Sequence, residues 1–93
     1  MLPTEARPRS EAEGVRVRGT VQGVGFGPFV SRLALQLSLS GWVVNDAEGV
    51  LAEVEGTPGA VEAFARRVAS EAPPLARVES VEREPREAQR TRG

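Results

Sequence analysis

The sequence predicts an α+β fold of four antiparallel strands with both helices on one face of the sheet, in the order βαββαβ. Three observations carry that prediction. Apolar residues recur at helical spacing in two separate stretches, strand-like alternation precedes and separates them, and a short run of turn residues joins two of the strands as a hairpin.

The first strand is read from Val15, Val17 and Val21, which alternate with Arg16, Arg18 and Thr20. It runs into Gln22-Gly23-Val24-Gly25-Phe26-Gly27-Pro28, where three glycines permit left-handed or close backbone and Pro28 suits a first helical turn. Phe26, Val30, Leu33, Ala34 and Leu37 mark one face of the first helix, and Gly41 is placed to stop it. Trp42-Val43-Val44-Asn45, the turn Asp46-Ala47-Glu48-Gly49, and Val50, Ala52 and Val54 form the hairpin. Thr57 caps a second helix with Pro58 at its first position and Val61, Phe64, Ala65 and Val68 on its apolar face; Pro73-Pro74 ends it. The last strand, Arg77 to Glu82, carries Val78 and Val81 three apart, which predicts a bulge or a twisted edge. Residues 1–13 and 85–93 are polar and charged and are expected to be flexible tails around one domain at 14–84.

Composition narrows the chemistry. At 93 residues the chain has room for one core, and with three Phe and one Trp that core rests on Val, Leu and Ala. It has no Cys and no His, which removes disulfides, the usual zinc sites and every nucleophile scheme with a Cys or His base. All twelve basic residues are Arg, so a Walker A lysine and Schiff-base chemistry are excluded. A net charge of −1 argues against a nucleic-acid module, and no apolar run approaches a membrane span, so a cytoplasmic chain without nucleic-acid or membrane partners is expected.

The glycine-rich loop is the strongest site candidate. It follows a strand and opens a helix, so its backbone N–H groups converge with the helix dipole behind them, a geometry that binds anions such as phosphate. An unliganded tight turn is the alternative. A dinucleotide fold does not fit, because Gly23, Gly25 and Gly27 do not follow the GxGxxG spacing and the hairpin requires antiparallel neighbours. Asn45 either caps the hairpin turn or presents its amide to a ligand; its position before the turn favours the cap. Arg16, Arg18, Glu53 and Glu55 are expected on the outer sheet face as ordinary cross-strand charge, and Asp46 as a solvated turn carboxylate without an acid partner.

With these residues in place, the sequence resembles the acylphosphatase family over roughly residues 14–83. Gly19-Thr20-Val21-Gln22-Gly23-Val24-Gly25-Phe26 resembles its phosphate loop and Gly41-Trp42-Val43-Val44-Asn45 its second signature. Pro28-Phe29-Val30, Arg32-Leu33-Ala34 and Pro73-Pro74-Leu75-Ala76-Arg77 are similar to the amino-terminal acylphosphatase-like domain of the nickel-iron hydrogenase maturation carbamoyltransferase. The resemblance implies hydrolysis of a carboxylic-phosphoric anhydride, carbamoyl phosphate in the maturation enzyme, without cofactor or metal. It implies that Gln22, Gly23, Val24, Gly25, Phe26 and Gly27 cradle phosphate and that Asn45 positions the attacking water. It also implies a departure, because the family pattern calls for a phosphate-binding Arg where this chain has Gly27; Arg16, Arg18 and Arg32 are the conceivable substitutes. Three readings stay open on sequence: phosphate binding with impaired hydrolysis beside downstream carbamoyltransferase domains, an active free-standing acylphosphatase, and an empty scaffold.

Overall fold

Val15 and Val17 are wholly buried in a strand over Glu11–Thr20 (β1), and the architecture is arranged around them. The computed structural model describes residues 10–87. Helix α1 spans Phe26–Gln36, strand β2 Ser40–Asp46, strand β3 Gly49–Gly56, helix α2 Pro58–Ser70 and strand β4 Arg77–Arg86. The strands form one sheet in the order β2-β3-β1-β4, every neighbouring pair antiparallel, so the βαββαβ arrangement expected from the sequence is the one observed.

Strand alternation sorts the residues between two faces. Val15, Val17, Val50, Ala52 and Val54 are buried on the face that carries the helices, together with Phe26, Phe29, Val30 and Leu33 from α1 and Val61, Phe64 and Val68 from α2. No polar or charged residue is buried among the described residues. The other face is open and carries Arg16, Arg18 and Glu53, as the alternation predicts, together with Arg86 of β4. Their ion pairs are Arg16–Asp46, Arg18–Glu82 and Arg86–Glu53, while Arg18 also reaches Glu48 and Arg86 also reaches Glu84.

The helix ends show both agreement and correction. Thr57 caps α2 as expected, its Oγ1 accepting from the Ala60 N–H at 3.2 Å. Gly41 does not stop α1. The helix ends at Gln36, and the Leu39 N–H donates to the Ala34 carbonyl at 2.9 Å while the Ser38 N–H donates to the Leu35 carbonyl at 3.0 Å. This is a Schellman closure, with Ser38 in the left-handed position at φ 58° that glycine normally takes. Gly41 lies within β2 at φ 140°, where a Cβ would collide with the Glu53 carbonyl of β3.

The sheet extends beyond residues 14–84. Glu11, Ala12 and Glu13 pair with β3, and Pro85 and Arg86 pair with β1, because Arg83 bonds Glu13 and Arg86 lies over Gly14 to reach Glu53. Of the remaining tail positions, 1–9 and 88–93 lie outside the described residues. The predicted irregularity of the last strand is present as a register shift between Arg18 and Gly19.

Phe64 has no exposed surface and sits between α2 and the sheet. Phe64→Ala is expected to cost about 3–5 kcal/mol in urea unfolding, a large share of a small domain's stability. Ser38→Gly is expected to raise stability by about 0.5–1 kcal/mol in the same assay, because it relieves the left-handed serine; an unchanged or lower midpoint would show that Ser38 is unstrained.

Candidate functional site

Buried residues hold both ends of the glycine-rich loop. Val21 follows β1 and Phe26 opens α1, each about 1% exposed, while Gln22, Gly23 and Gly25 between them are exposed. Val24 is half-buried against the core, and the Phe26 ring meets Phe29 with centroids 5.5 Å apart. To turn back between two anchors so close in sequence the backbone goes left-handed twice, at Gly23 (φ 73°) and at Gly25 (φ 79°), which is the N-cap of α1.

No side chain caps this helix, and Pro28 has no N–H to bond. Among the described residues the N–H groups of Gly23, Val24, Gly25, Phe26 and Gly27 make no hydrogen bond. The first turn of α1 therefore offers its positive end and several unspent donors to the surface.

Asn45 approaches this loop from the hairpin. Within β2 it pairs with Val50 of β3, on the helix-bearing face, so it is a strand residue and not the cap of the turn. The turn is capped by Asp46, whose Oδ1 accepts from the Glu48 N–H at 2.9 Å. Asn45 is exposed, and its Nδ2 lies 3.9 Å from the point a Cβ on Gly27 would occupy. The end of the loop and the hairpin amide thus face the same space, although the two residues are far apart in sequence.

Asp46 and Gln22 fix that juxtaposition. The Gln22 Nε2 donates to the Asp46 carbonyl at 2.6 Å, which ties the loop to the end of β2. Arg16 Nη1 donates to the Asp46 carboxylate at 2.6 Å from the outer face. The Arg16 hydrogen bond, followed by the Glu48 N–H, holds the Asp46 carboxyl below its ordinary value of 3.8. Sequence reasoning treated Asp46 as solvated, and no local signal marks a contact with Arg16 across 30 residues.

Gln22 acts here through its side chain as a strut, Phe26 as an anchor, and Gly23, Val24, Gly25 and Gly27 through their backbone. Arg16 and Arg18 are on the outer face and committed to carboxylates. Chemically, the arrangement can receive an anion on N–H donors and hold a water on a primary amide. Its nearest acid, Asp46, is engaged as an acceptor.

The family model described as Acylphosphatase matches residues 14–93. The chain belongs to the acylphosphatase family. It is 49% identical over 82 residues to the carbamoyltransferase HypF2 of Cupriavidus necator, covering 87% of this chain and 10% of that protein. It is also 49% identical over 72 residues to the acylphosphatase of Nocardioides sp., covering 76% of this chain and 72% of that one. Among solved structures, full-length HypF in its phosphate- and nucleotide-bound form matches with a TM-score of 0.86 at 35% identity, over 89% of this chain and 11% of that one. The acylphosphatase of Coxiella burnetii matches with a TM-score of 0.82 at 30% identity, over 98% and 94%. This acylphosphatase-like domain is therefore related both to HypF amino-terminal domains and to free-standing acylphosphatases, and it spans about a tenth of the HypF proteins it matches. Among the described residues no helix is long and apolar enough to cross a membrane.

The Arg16–Asp46 pair gives a pH signature. Because the folded carboxyl titrates below its unfolded value, its stabilisation is complete above 3.8 and is lost as pH falls from there through the lower folded value. Asp46→Asn should unfold at lower urea than the parent near neutral pH, and the gap should close as pH drops below 3.8. A gap independent of pH would show that the carboxylate charge contributes nothing.

Proposed function

We propose that the loop Gln22–Gly27 binds the phosphate of an acyl or carbamoyl phosphate, that Asn45 orients a water against it, and that hydrolysis is slow because Gly27 leaves the end of the loop without a guanidinium. The observation that carries this reading is the 3.9 Å approach of Asn45 Nδ2 to the Cβ position of residue 27. It brings an amide that can hold water beside the N–H groups of the loop.

The chemistry asks little of acids or bases. The water oxygen bonds to phosphorus, the bond from phosphorus to the acyl oxygen breaks, and the carboxylate or carbamate leaves with the electron pair while the water's proton passes to phosphate or solvent. Such a leaving group is stable as an anion, so a site without a general acid suffices. What the reaction needs is positioning and charge stabilisation at the phosphoryl oxygens. Backbone N–H groups supply part of it, and an Arg at position 27 would supply a bidentate, charged contact. Arg16 and Arg18 do not replace it, since both are held by carboxylates on the opposite face.

Kinship with HypF favours carbamoyl phosphate as the ligand. In that setting a loop that holds carbamoyl phosphate without consuming it would serve the neighbouring domains of a hydrogenase maturation carbamoyltransferase. The match to free-standing acylphosphatases over most of their length supports hydrolysis as the second reading.

The test compares this chain with Gly27→Arg on acetyl phosphate and carbamoyl phosphate, with inorganic phosphate binding followed by calorimetry. Gly27 is not among the left-handed glycines, and its added Cβ makes only an ordinary contact, so the variant is expected to fold at least as well. The parent should bind phosphate weakly and turn over slowly. The variant should be faster by about 10²-fold or more, and Asn45→Ala placed in the variant should remove most of that gain. Equal rates in parent and variant would overturn the role given to position 27, and the absence of phosphate binding in both would overturn the site.

A further inference from the structure

Asn45 sits where a strand is least able to hold a side chain still. It is one residue from the end of β2, beside the hairpin turn, and β2 is an edge strand whose only ladder partner among the described residues is β3. Strand ends of that kind open first. Holding a water against the loop requires the amide to be fixed to within about 0.5 Å. The ladder, with Asn45 opposite Val50 and Asp46 opposite Gly49, supplies that restraint from one side only.

Asp46 supplies the rest. Successive strand residues point to opposite faces, so Asn45 faces the helices while the Asp46 carboxylate lies on the outer face. There Arg16 takes hold of it from β1, two strands away, a span of about 10 Å that passes over β3. The β3 residue opposite Asp46 is Gly49, which puts no side chain in the path; a Cβ there would collide with the Val17 carbonyl of β1. Arg16 is the most covered arginine among the described ion pairs, its side chain 18% exposed, so solvent screens this contact less than the others. From the loop side, the Gln22 amide holds the carbonyl of the same Asp46. Asp46 is thus fixed at its side chain and at its main chain, from two directions, one peptide away from the amide that faces Gly27.

We infer that Arg16 is a positioning residue of the site, holding the Asn45 amide against the loop from the opposite face of the sheet through Asp46. It touches neither phosphate nor water, since its guanidinium is spent on the Asp46 carboxylate. What it contributes is placement. Its loss leaves the N–H groups of the loop as they are, so phosphate binding is retained while the step that uses the oriented water slows. The other ion pairs of the outer face do not share this role equally: Arg86 binds Glu53 and Glu84, neither of which adjoins Asn45 or the loop. The effect on rate rests on the reading of the loop as a phosphate site; the placement of the amide does not.

Two measurements, made where circular dichroism shows every variant folded, test the role and the placement separately. Asn45 is the only asparagine, so labelling asparagine with nitrogen-15 marks a single side-chain amide. In the full chain its protons should show a nuclear Overhauser contact to Gly27, which should be lost in Arg16→Gln and in Asp46→Ala and kept in Arg86→Gln. In acetyl phosphate hydrolysis, with Gly27→Arg as the starting protein, adding Arg16→Gln should lower kcat about 10-fold and change KM less than about twofold. Adding Arg86→Gln instead should alter kcat less than about twofold, and once Asn45→Ala is present Arg16→Gln should have no further effect. A contact retained in Arg16→Gln would overturn the inference. So would an equal rate loss in Arg86→Gln, a loss confined to KM, or one that persists without Asn45. If Gly27→Arg is no faster than the parent, the phosphate reading falls, and the Overhauser contact still decides whether Arg16 holds the amide.

Discussion

The central position of β1 is the constraint on which everything else rests. It bonds β3 on one side and β4 on the other, and its alternation decides which residues meet the helices. Glu13, Val15 and Val17 point to the helical layer, where Glu13 joins Arg83 of β4, which in turn bonds Glu62 of α2. Arg16 and Arg18 point the other way and tie β1 to the hairpin end and to β4. A one-residue slip would exchange the valines with the arginines, so register is strongly specified.

The same strand positions the loop. Val21, just past the end of β1, enters the core and Phe26 is the first residue that α1 returns to it, and the intervening backbone has only the glycines with which to turn. Arg16, from β1, then reaches Asp46, and Gln22 bonds the carbonyl of that same residue. The result is a loop and a hairpin braced from both faces of the sheet. Individually such exposed pairs contribute little to stability. Their effect is geometric, because both contacts converge on Asp46 and set where the loop stands against the hairpin.

Element order, both helix faces, the Thr57 cap and the hairpin were legible because each is written in residues close together in sequence. The family kinship was legible for the same reason, in two unbroken motifs. What local reading misplaced depends on distant partners. Glu11 to Glu13 look like a polar tail until β3 and Arg83 are beside them, and Pro85-Arg86 until Gly14 gives the guanidinium a seat. Gly41 reads as a helix stop, yet it is required by a β3 carbonyl, while Ser38 ends the helix against its propensity. Asn45 beside Gly27, and Asp46 beneath Gln22, belong to tertiary structure and leave no periodic trace.

The central strand is also the first to be made. Its ion pairs with β4 join residues 64 to 70 positions apart, so during synthesis β1 waits for its second neighbour while the hairpin and both helices emerge. At the pace of a ribosome, about 5–20 residues per second, that interval is roughly 3–14 s. Throughout it one margin of the future core strand stands open to passing chains, a window that lies in the order of the elements and that no adjustment of final stability would shorten.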